Sequence, residues 1–404
     1  MDTDTLTLDP AIVAALPVRG EVVAIFRHGD TNWSYGYKII IEIDDDDHEF
    51  FVKVLSCRSI FHWLASLIRF MKILDREDAK ELAEGEYESM VLMHKLIPEA
   101  IVPPIAWGMF ETDSSKAFYL TYFRDLDKQL PSDDSLIRLI SKIHQKESPT
   151  GKFGFHVPTF YGCRKVDNSW CESWEEFFSR ELRSSINFAQ AVLQHDEELE
   201  GLAKTFIDLV VPRLLRPLET GGRSIKPHLV FGDLWDANVQ VDSRTRAAAL
   251  FDPCCFYGHF EFDFQCMTSD RYSLNYNFVY LYRDRVGVSE PAEEFDDRVA
   301  LYALRNDFHT MGMWPRWTSV LDHVKSEMNR LIEKYPDGLH GLEVNTALEN
   351  NTAFEENTAL DYNNPLEENT VESATIEGNE DIPFFNPIVP GQGGTLVAIK
   401  ADSA

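Results

Sequence analysis

The sequence predicts an α+β protein that consists of a small strand-rich lobe, a larger and mainly helical lobe, and an acidic tail. Three observations predict this organisation. Short apolar and β-branched runs fill the chain up to about Arg124, apolar residues recur at helical spacing from Asp133 onward, and the composition becomes acidic and polar after about Leu342. We therefore divide the chain into residues 1–124, 125–341 and 342–404.

The composition of the 404 residues limits the function classes. Hydrophobic residues make up 44% and aromatic residues 12%, which is enough for packed cores and rules out a wholly disordered chain. The formal net charge of −29 repels phosphate backbones and anionic lipid, so binding to nucleic acid or membrane by bulk charge is not expected. The six cysteines form no C-x-x-C pair, and the acidic N-terminal residues do not resemble a signal peptide. These features predict a protein of the reducing cytoplasm.

The first lobe is predicted to contain five strands and one helix. The strands are rich in β-branched and aromatic residues and are separated by turn-forming polar stretches, while the helix carries its apolar residues on one face. The predicted strands are Glu21–Phe26, Tyr37–Ile43, Glu49–Leu55, Ile101–Phe110 and Ala117–Phe123, and the predicted helix is Asp75–Leu96.

The segment Leu55–Leu74 is apolar and barely long enough to cross a bilayer. It contains Arg58, His62, Arg69 and Lys72, and each of these residues is costly at bilayer depth. The segment is therefore predicted to be an amphipathic helix on the protein's own surface or on a partner, rather than a transmembrane helix.

The second lobe is predicted to be mainly helical, with a run of short apolar strands in its middle. The predicted helices are Ser135–Gln145, Trp174–Gln194, Glu197–Arg216, Ala292–Leu304 and Trp317–Lys334, and the strands are His228–Val241 and Ala247–Phe251.

The tail has an asparagine every six residues from Asn345 to Asn369. A hexapeptide period is compatible with a β-helix, which needs several stacked turns to bury a core. Here the repeats are few, acidic and poor in β-branched residues, so the tail is predicted to be disordered.

The strands of the second lobe carry residues typical of a phosphotransferase. Asp233 is followed five positions later by Asn238, and Asp252 ends an apolar strand further along. Asp233 is a candidate to accept or orient the proton of an attacking hydroxyl, and Asn238 and Asp252 carry the hard oxygen ligands that Mg²⁺ prefers beside nucleotide phosphates. The alternative is a polar loop in which both aspartates only form turns.

A phosphotransferase also needs a cation on the nucleotide phosphates. Lys53 lies in the middle of a predicted strand, where a charged residue is costly unless its ammonium reaches a partner. Glu86 on the following helix is the best candidate partner, with Glu84 and Glu88 as alternatives. The competing interpretation is a lysine that faces water from an edge strand.

Several stretches resemble the fructosamine-3-kinase (ketosamine-3-kinase) family, which belongs to the wider protein-kinase-like and aminoglycoside-phosphotransferase-like fold. FGDLWDANV and FDPCCFYGHFEFD resemble the family's H-G-D-L-W-x-x-N and Y-D-P-A-x-x-Y-G-x-x-E motifs. EGEYESM and FGFHVPTFYG agree with the family as well, as do Trp170, Trp174, Phe177 and Phe178. The resemblance covers about Val23–Lys334 and implies a bilobal protein-kinase-like fold, with a small antiparallel-sheet N-lobe and a mainly helical C-lobe.

The resemblance also implies roles for the candidate residues. Asp233 resembles the catalytic base, Asn238 and Asp252 the Mg²⁺ ligands, and Lys53 and Glu86 the pair that holds the phosphates. The remaining implied roles are a hinge at Tyr122–Asp125 whose Tyr122 and Phe123 touch adenine, a sugar platform at Trp235, and His259 and Glu261 as groups that orient substrate hydroxyls. Core packing is the alternative for Trp235, and an intramolecular cap is the alternative for His259 and Glu261.

Three features depart from the family pattern. Phe231 replaces the family's histidine, so a hydrogen bond that braces the backbone is lost, and we expect this loss to be tolerated. The loop RHGDTNWS, with Gly29 and Thr31, is expected to cover the phosphates with backbone N–H groups but has fewer glycines than the family's version. The connection Val54–Gly85 is much longer than in the family, and an insertion that loops out is compatible with the lysine–glutamate pair.

The resemblance implies an ATP- and Mg²⁺-dependent kinase that phosphorylates the sugar 3-hydroxyl of ketosamines. The family's substrates are fructosamine or ribulosamine adducts on protein lysines or free amines, and phosphorylation makes the adduct unstable, so that the amine is restored. The implied partner is thus a glycated protein or a small ketosamine. Two rivals are a small-molecule hydroxyl kinase of the choline or aminoglycoside type and an inactive pseudokinase that serves as a binding module.

Overall fold

The computed structural model describes residues 8–31, 34–56, 76–193, 196–315 and 317–340. All but the first two residues of the segment predicted as an amphipathic helix lie outside the described residues, and so does the predicted acidic tail. Within the described part of the chain, no helix is long and apolar enough to cross a membrane.

The first lobe is built on a five-stranded antiparallel sheet with the strand order β1-β2-β3-β5-β4. The strands are β1 (Glu21–Asp30), β2 (Ser34–Ile43), β3 (Asp46–Ser56), β4 (Pro104–Met109) and β5 (Lys116–Tyr122). Alternate residues such as Ile39, Val52 and Leu120 point to one face and form the core of this lobe. The five predicted strands are present, although β1 to β3 are longer than expected.

The extension of β1 and β2 corrects the prediction of a loop over Arg27–Ser34. Both strands continue into this region, and Thr31 N donates to Ser34 O at 2.9 Å at the tip of the hairpin. The register between the strands shifts between Arg27 and Asp30, so two residues of β1 face the single Gly36 of β2. The bulge is possible because residue 29 is a glycine: its φ is +83°, a conformation that favours glycine.

A short helix, α1 (Pro10–Ala15), precedes the sheet and was not predicted. Asp9 caps it through Ala11 N at 3.0 Å, and the same carboxylate accepts hydrogen bonds from the backbone N–H groups of Glu111 and Thr112 at 2.9 and 3.0 Å. Burial alone would raise the pKa of Asp9, but the Thr112 hydroxyl and these N–H groups lower it to about 2. Asp9 therefore ties α1 to the turn between β4 and β5.

The helix of the first lobe, α2 (Arg76–Leu96), packs against β4 and β5 on the face opposite to the apolar core. It begins within one residue of the predicted start at Asp75 and ends at the predicted Leu96. Gly85 of α2 lies against the backbone of Pro158 in the second lobe, and a Cβ at this glycine would stand 2.2 Å from Pro158 O. The close approach lets α2 contact both lobes.

The second lobe is mainly helical, as predicted. Its α-helices are α3 (Asp133–His144), α4 (Trp174–Leu193), α5 (Glu197–Leu215), α6 (Tyr276–Val286), α7 (Phe295–Met313) and α8 (Thr318–Lys334). The core centres on the fully buried Trp174, whose indole stacks with Phe177 and Phe256. Nearly all residues of α7 are buried, charged ones included, so no polar face marked its continuation beyond the predicted end at Leu304.

Short strands of the second lobe carry the candidate site. They are β6 (Leu126–Asp127), β7 (Phe160–Tyr161), β8 (Arg164–Lys165), β9 (His228–Val230), β10 (Val239–Asp242), β11 (Ala248–Leu250) and β12 (Phe256–Gly258). β10 pairs with both β11 and β6, and β9 pairs with β12. The predicted strand His228–Val241 is wrong as a single element, because a positive φ at Gly232 and a 3-10 turn at Asp236–Asn238 interrupt it.

Candidate active site

A buried ammonium lies between carboxylates of the two lobes. Lys53 on β3 alternates with Val52 and Val54, so its side chain points away from the apolar core and toward α2. Its Nζ is 3.1 Å from Glu86 Oε1 on α2 and 2.9 Å from Asp252 Oδ1 after β11. The structure thus brings three of the candidate residues together, and it selects Glu86 over Glu84 and Glu88 as the carboxylate on Lys53.

The pKa values reflect this arrangement. Burial by itself would lower the pKa of Lys53, but the Asp252 and Glu86 carboxylates outweigh burial and hold the pKa above its usual value. Burial raises the pKa of Glu86 to about 7; Lys53 opposes this rise, and the neighbouring Asp252 adds to it. The lysine is therefore fully charged at neutral pH, and the two carboxylates compete for it.

Asp233 and Asn238 face each other across a tight loop after β9. The Asn238 amide Nδ2 donates to the Asp233 carbonyl at 2.9 Å and to Asp233 Oδ2 at 3.1 Å. Nδ2 also approaches the Asp252 carbonyl at 3.5 Å. Burial and then the Asp252 carboxylate raise the pKa of Asp233 to about 7, against the hydrogen bond from Asn238. A carboxyl with such a pKa can take a proton near neutral pH.

Backbone conformation explains why these residues converge. Gly232 has a φ of +86°, and a Cβ at this position would stand 1.9 Å from Cys254 O, so only glycine fits. The 3-10 turn Asp236–Asn238 then reverses the chain and returns Asn238 to the side of Asp233. Asp252 adopts a φ of +52°, an uncommon conformation for aspartate that turns its side chain out of the strand direction.

The donor set fits a hard divalent cation. The Asn238 amide uses its Nδ2 for the contacts above, and no described residue donates a hydrogen bond to its Oδ1. The Asp252 side chain is 42% exposed although one of its oxygens contacts Lys53, so the carboxylate is open to the cleft. Carboxylate and amide oxygens are the ligands that Mg²⁺ prefers, with water and phosphate completing the octahedron.

Trp235 lies two residues after Asp233 and is partly buried. Its indole meets the ring of Tyr272 edge to face, with centroids 5.5 Å apart and an interplanar angle of 70°. The indole thus packs against another aromatic ring and is not one of the buried residues of the main core. A partly exposed indole that packs against a second ring is compatible with the stacking role that the resemblance implied.

The candidate hinge joins the two sheets. Tyr122 ends β5 and is 44% exposed, and Phe123 N donates to Glu49 O at 3.2 Å before the chain enters β6. The ring of Phe123 contacts the imidazole of His28 on β1, with centroids 5.0 Å apart, and the Lys38 ammonium lies 4.2 Å above it. The rings of Tyr122, Phe123 and His28 therefore lie at the segment where the prediction places adenine.

Gly29 and Thr31 lie at the end of β1 and its hairpin tip. The Thr31 hydroxyl hydrogen-bonds the Ser34 hydroxyl at 2.8 Å and accepts from Ser34 N at 3.0 Å. The Thr31 N–H is itself bonded to the Ser34 carbonyl, so it is not available to a phosphate in this conformation. The predicted contact of this tip with phosphates stays a prediction, with Gly29 as the position where the backbone is least restricted.

His259 and Glu261 do not reach the cleft, which corrects their assignment as groups that orient substrate hydroxyls. Both are fully buried in the second lobe. The His259 ring nitrogens form hydrogen bonds with Tyr302 Oη and Ser289 Oγ, both at 2.8 Å. The Glu261 carboxylate accepts hydrogen bonds from Arg298 Nε at 2.7 Å and from Ser289 N at 2.8 Å. These contacts match the alternative of an intramolecular cap. The motif sequence alone could not distinguish the two interpretations.

Asp263 supports the site and was not predicted. Its Oδ2 accepts a hydrogen bond from Phe231 N, and its Oδ1 accepts one from Gly232 N, both at 2.7 Å. His144 Nε2 lies 2.9 Å from Oδ2. This fully buried carboxylate therefore fixes the two N–H groups that precede Asp233. The signal in the sequence was an acidic residue inside the apolar run FEFDF, where burial of a charge demands strong partners.

Comparison with known proteins identifies relatives. The profile of a family described as fructosamine kinase matches residues 65–333, which is more than half of the chain. A ketosamine-3-kinase of Mus musculus is 27% identical over 273 residues, covering 62% of this chain and 83% of that protein. A chloroplastic protein-ribulosamine 3-kinase of Arabidopsis thaliana is 26% identical over 204 residues, covering 50% of this chain and 60% of that protein.

The fold has relatives among solved structures. The crystal structure of a Haemophilus somnus protein described as a candidate fructosamine-3-kinase matches with a TM-score of 0.59 at 18% identity, covering 80% of this chain and 96% of that chain. A corresponding Thermobifida fusca structure matches with a TM-score of 0.54 at 18% identity, covering 77% of this chain and 95% of that chain. These matches confirm the bilobal fold that the sequence motifs implied.

Proposed function

The chain belongs to the fructosamine kinase family, and from this premise we propose that it is an ATP-dependent kinase that phosphorylates the sugar 3-hydroxyl of ketosamines. The acceptors are fructosamine or ribulosamine adducts on protein lysines or on free amines. The observation that carries the proposal is the contact of Lys53 on the first lobe with Asp252 on the second, at 2.9 Å, beside Asp233 and Asn238. Phosphoryl transfer needs a positive charge, oxygen ligands for a metal ion and a base close together in one cleft.

Each residue of this cluster has a proposed task. Lys53, held by Glu86, binds the α- and β-phosphates of ATP, and Asn238 and Asp252 hold Mg²⁺ through their side-chain oxygens. The cation, when bound, neutralises charge that develops on the phosphate oxygens. When nucleotide enters, its phosphates replace the Asp252 carboxylate as a partner of Lys53, and this carboxylate becomes free to act as a ligand.

Asp233 is the proposed base. The sugar hydroxyl oxygen forms a bond to the γ-phosphorus while the bond from that phosphorus to the β,γ-bridging oxygen breaks, and the hydroxyl proton passes to the Asp233 carboxylate. The products are the sugar phosphate and ADP.

Trp235 is the proposed sugar platform. An indole face binds the C–H face of a sugar without contacting what is attached beyond it, so it tolerates both protein-bound and free adducts. A cytoplasmic location is proposed on the cysteine usage, because Cys171, Cys254, Cys255 and Cys266 are buried free thiols.

Turnover of ATP with synthetic ribulosyl-lysine and fructosyl-lysine tests the proposed function. We expect Mg²⁺-dependent transfer of phosphate to at least one of the two adducts and none with the folded variant Asp233→Asn. Absence of transfer to both adducts, with choline or an aminoglycoside accepted instead, would establish the small-molecule kinase alternative. Absence of both transfer and nucleotide binding in a folded protein would establish the pseudokinase alternative.

A further inference from the structure

The carbonyl of Gly232, the residue immediately before Asp233, is held by two buried side chains. The Tyr161 hydroxyl donates to this carbonyl oxygen, and Gln265 Nε2 donates to it at 2.7 Å. Tyr161 and Gln265 are only 2% and 1% exposed, so water does not compete for the carbonyl. Both side chains come from segments remote in sequence, on β7 and just after the 3-10 turn Phe260–Phe264.

A buried arginine fixes the orientation of this pair. Arg305 on α7 donates from Nη1 to Gln265 Oε1 at 3.2 Å, and its guanidinium lies 3.6 Å from the centre of the Tyr161 ring. A guanidinium has only donors, so the Gln265 amide must present its oxygen to Arg305 and its nitrogen to Gly232. Gln265 Nε2 also donates to Tyr161 Oη at 2.9 Å, which leaves the tyrosine proton directed at the carbonyl.

Arg305 is in turn anchored by an ion cluster. Its Nη2 donates to Glu181 Oε2 at 2.9 Å, and the same oxygen accepts Arg164 Nη2 at 2.8 Å. Burial would raise the pKa of Glu181, but Arg164 and Arg305 outweigh it and lower the pKa to about 2. The cluster is therefore charged at every physiological pH, and the support behind Gly232 is permanent rather than switchable.

The consequence concerns the peptide group that joins Gly232 to Asp233. Its carbonyl is fixed by Tyr161 and Gln265, while the N–H of Gly232 is fixed from another direction by Asp263. Phe231 is fully buried, and its ring has no hydrogen-bonding group to brace the same loop. These hydrogen bonds to main-chain atoms hold the backbone just before Asp233, in addition to the contacts that Asn238 makes with Asp233 itself.

We propose that Tyr161 and Gln265, oriented by Arg305, are positioning residues for Asp233, and that they supply bracing that the aromatic side chain at position 231 cannot. This inference rests on the proposed role of Asp233 as the base. Neither residue touches the reacting atoms. They act through the Gly232 carbonyl, and a displacement of Asp233 by about 1 Å would cost on the order of 100-fold in rate.

Two conservative substitutions test the inference. Tyr161→Phe removes only the hydroxyl and keeps the ring beneath Arg305, and Gln265→Met keeps the shape without the amide. In ketosamine phosphorylation we expect each to lower kcat by about 10- to 100-fold, with KM for ATP changed by less than about twofold. The double variant should lose little more than the worse single variant, because both side chains hold one oxygen.

Tyr302→Phe is the matched control. Tyr302 is an equally buried tyrosine of the same lobe whose hydroxyl accepts Trp174 Nε1 at 2.9 Å and contacts His259 Nδ1 at 2.8 Å, with no bond to the loop of Asp233. It should lower the unfolding temperature about as much as Tyr161→Phe while kcat stays at the wild-type value. Equal kcat for wild type and for both test variants would overturn the inference.

Hydrogen–deuterium exchange separates this inference from the proposed function. The amides of residues 231–234 should exchange faster in Tyr161→Phe and Gln265→Met than in wild type and Tyr302→Phe, whatever the substrate. Unchanged exchange in both test variants contradicts the bracing even if the kinase activity is present. If wild type phosphorylates no ketosamine but exchange rises as expected, the proposed function fails and the bracing of the loop stands.

Discussion

The ammonium of Lys53 has its two counter-ions on different lobes, and replacing it gives the first prediction. Lys53→Met keeps the length of the side chain and removes its charge, so nothing balances the α- and β-phosphates. We expect kcat/KM for ATP in ketosamine phosphorylation to fall by about 100- to 1,000-fold. Steady-state kinetics measure this loss.

Lys165→Met is the control for this prediction. Lys165 also contacts a glutamate of α2, with Nζ 2.6 Å from Glu81 Oε2, but the pair is on the surface. Exposed ion pairs contribute little, so this variant should keep wild-type kinetics. Similar kinetics for the two variants would refute a role of Lys53 in phosphate binding.

The indole of Trp235 gives the second prediction. Trp235→Ala should lower kcat/KM for the ketosamine by about tenfold or more, because the stacking face for the sugar is lost. Basal ATP hydrolysis should stay close to the wild-type rate. Trp235→Phe keeps a smaller flat face, so its kcat/KM for the ketosamine should lie between the values of wild type and Trp235→Ala. An alanine variant with unimpaired use of the ketosamine would assign Trp235 to packing.

For single residues, the sequence predicted those whose chemistry is visible in a motif. It missed those whose side chains hydrogen-bond main-chain atoms. Lys53 was recognised because a charge in the middle of a strand needs a partner, and the structure supplies two. His259 and Glu261 were misassigned because a buried polar residue and a substrate-binding one look alike in sequence. Tyr161 and Gln265 were missed because their hydrogen bonds go to a main-chain carbonyl, which no residue pattern reveals.

Two glycines in helices test how α2 is placed against the second lobe. At Gly85 a Cβ would clash with Pro158 O, whereas at Gly201 of α5 nothing lies within 4 Å. Gly201→Ala should raise the free energy of unfolding by about 0.5–1 kcal/mol, since alanine is the better helix former. Gly85→Ala should lower it by about 1–3 kcal/mol, because the backbone must move.

The two glycine substitutions should also differ in activity. Urea denaturation measures their free energies of unfolding, and steady-state kinetics measure their kcat. Displacement of α2 carries Glu86 away from Lys53, so Gly85→Ala should also reduce kcat, while Gly201→Ala should not. A stabilised and fully active Gly85→Ala variant would show that the contact of α2 with the second lobe has no part in holding the lysine.

Among the elements, long and strongly periodic segments were predicted well, and short ones were not. The bounds of α2 and α4 agree with prediction to within a residue or two, because one apolar face defines them. The strand pairs around Asp233 are only three or four residues long, and tertiary pairing rather than local pattern creates them. α6 was missed although Asn275 at its start and Gly287 at its end are typical helix caps.

For the whole molecule, nucleotide binding should stabilise the fold by linking the two lobes. We expect an unfolding temperature that rises with a non-hydrolysable ATP analogue and rises further when Mg²⁺ is added. Ligand at about 100 times its Kd contributes about 2.7 kcal/mol. Asp252→Asn should retain an increase with nucleotide alone but lose most of the increment from Mg²⁺, as measured by calorimetry. A wild-type shift that is the same with and without Mg²⁺ would argue against the metal site.

The bilobal organisation was predictable because the motifs of the second lobe are specific and the change from strands to helices is abrupt. The contact between the two lobes across the cleft was not predictable from the sequence. Lys53 and Asp252 are 199 positions apart, and only the folded chain shows that their side chains meet. The sequence could name both residues, but it could not say that the ammonium of Lys53 pairs with the carboxylate of Asp252.

The environment of Lys53 has a further consequence for a protein proposed to act on sugar-modified amines. Only an uncharged amine can add to a sugar aldehyde or ketone. The ammonium of Lys53 is buried, and its two carboxylates keep it protonated. The amine on which catalysis is proposed to depend is therefore guarded against glycation, the very damage that its reaction would reverse.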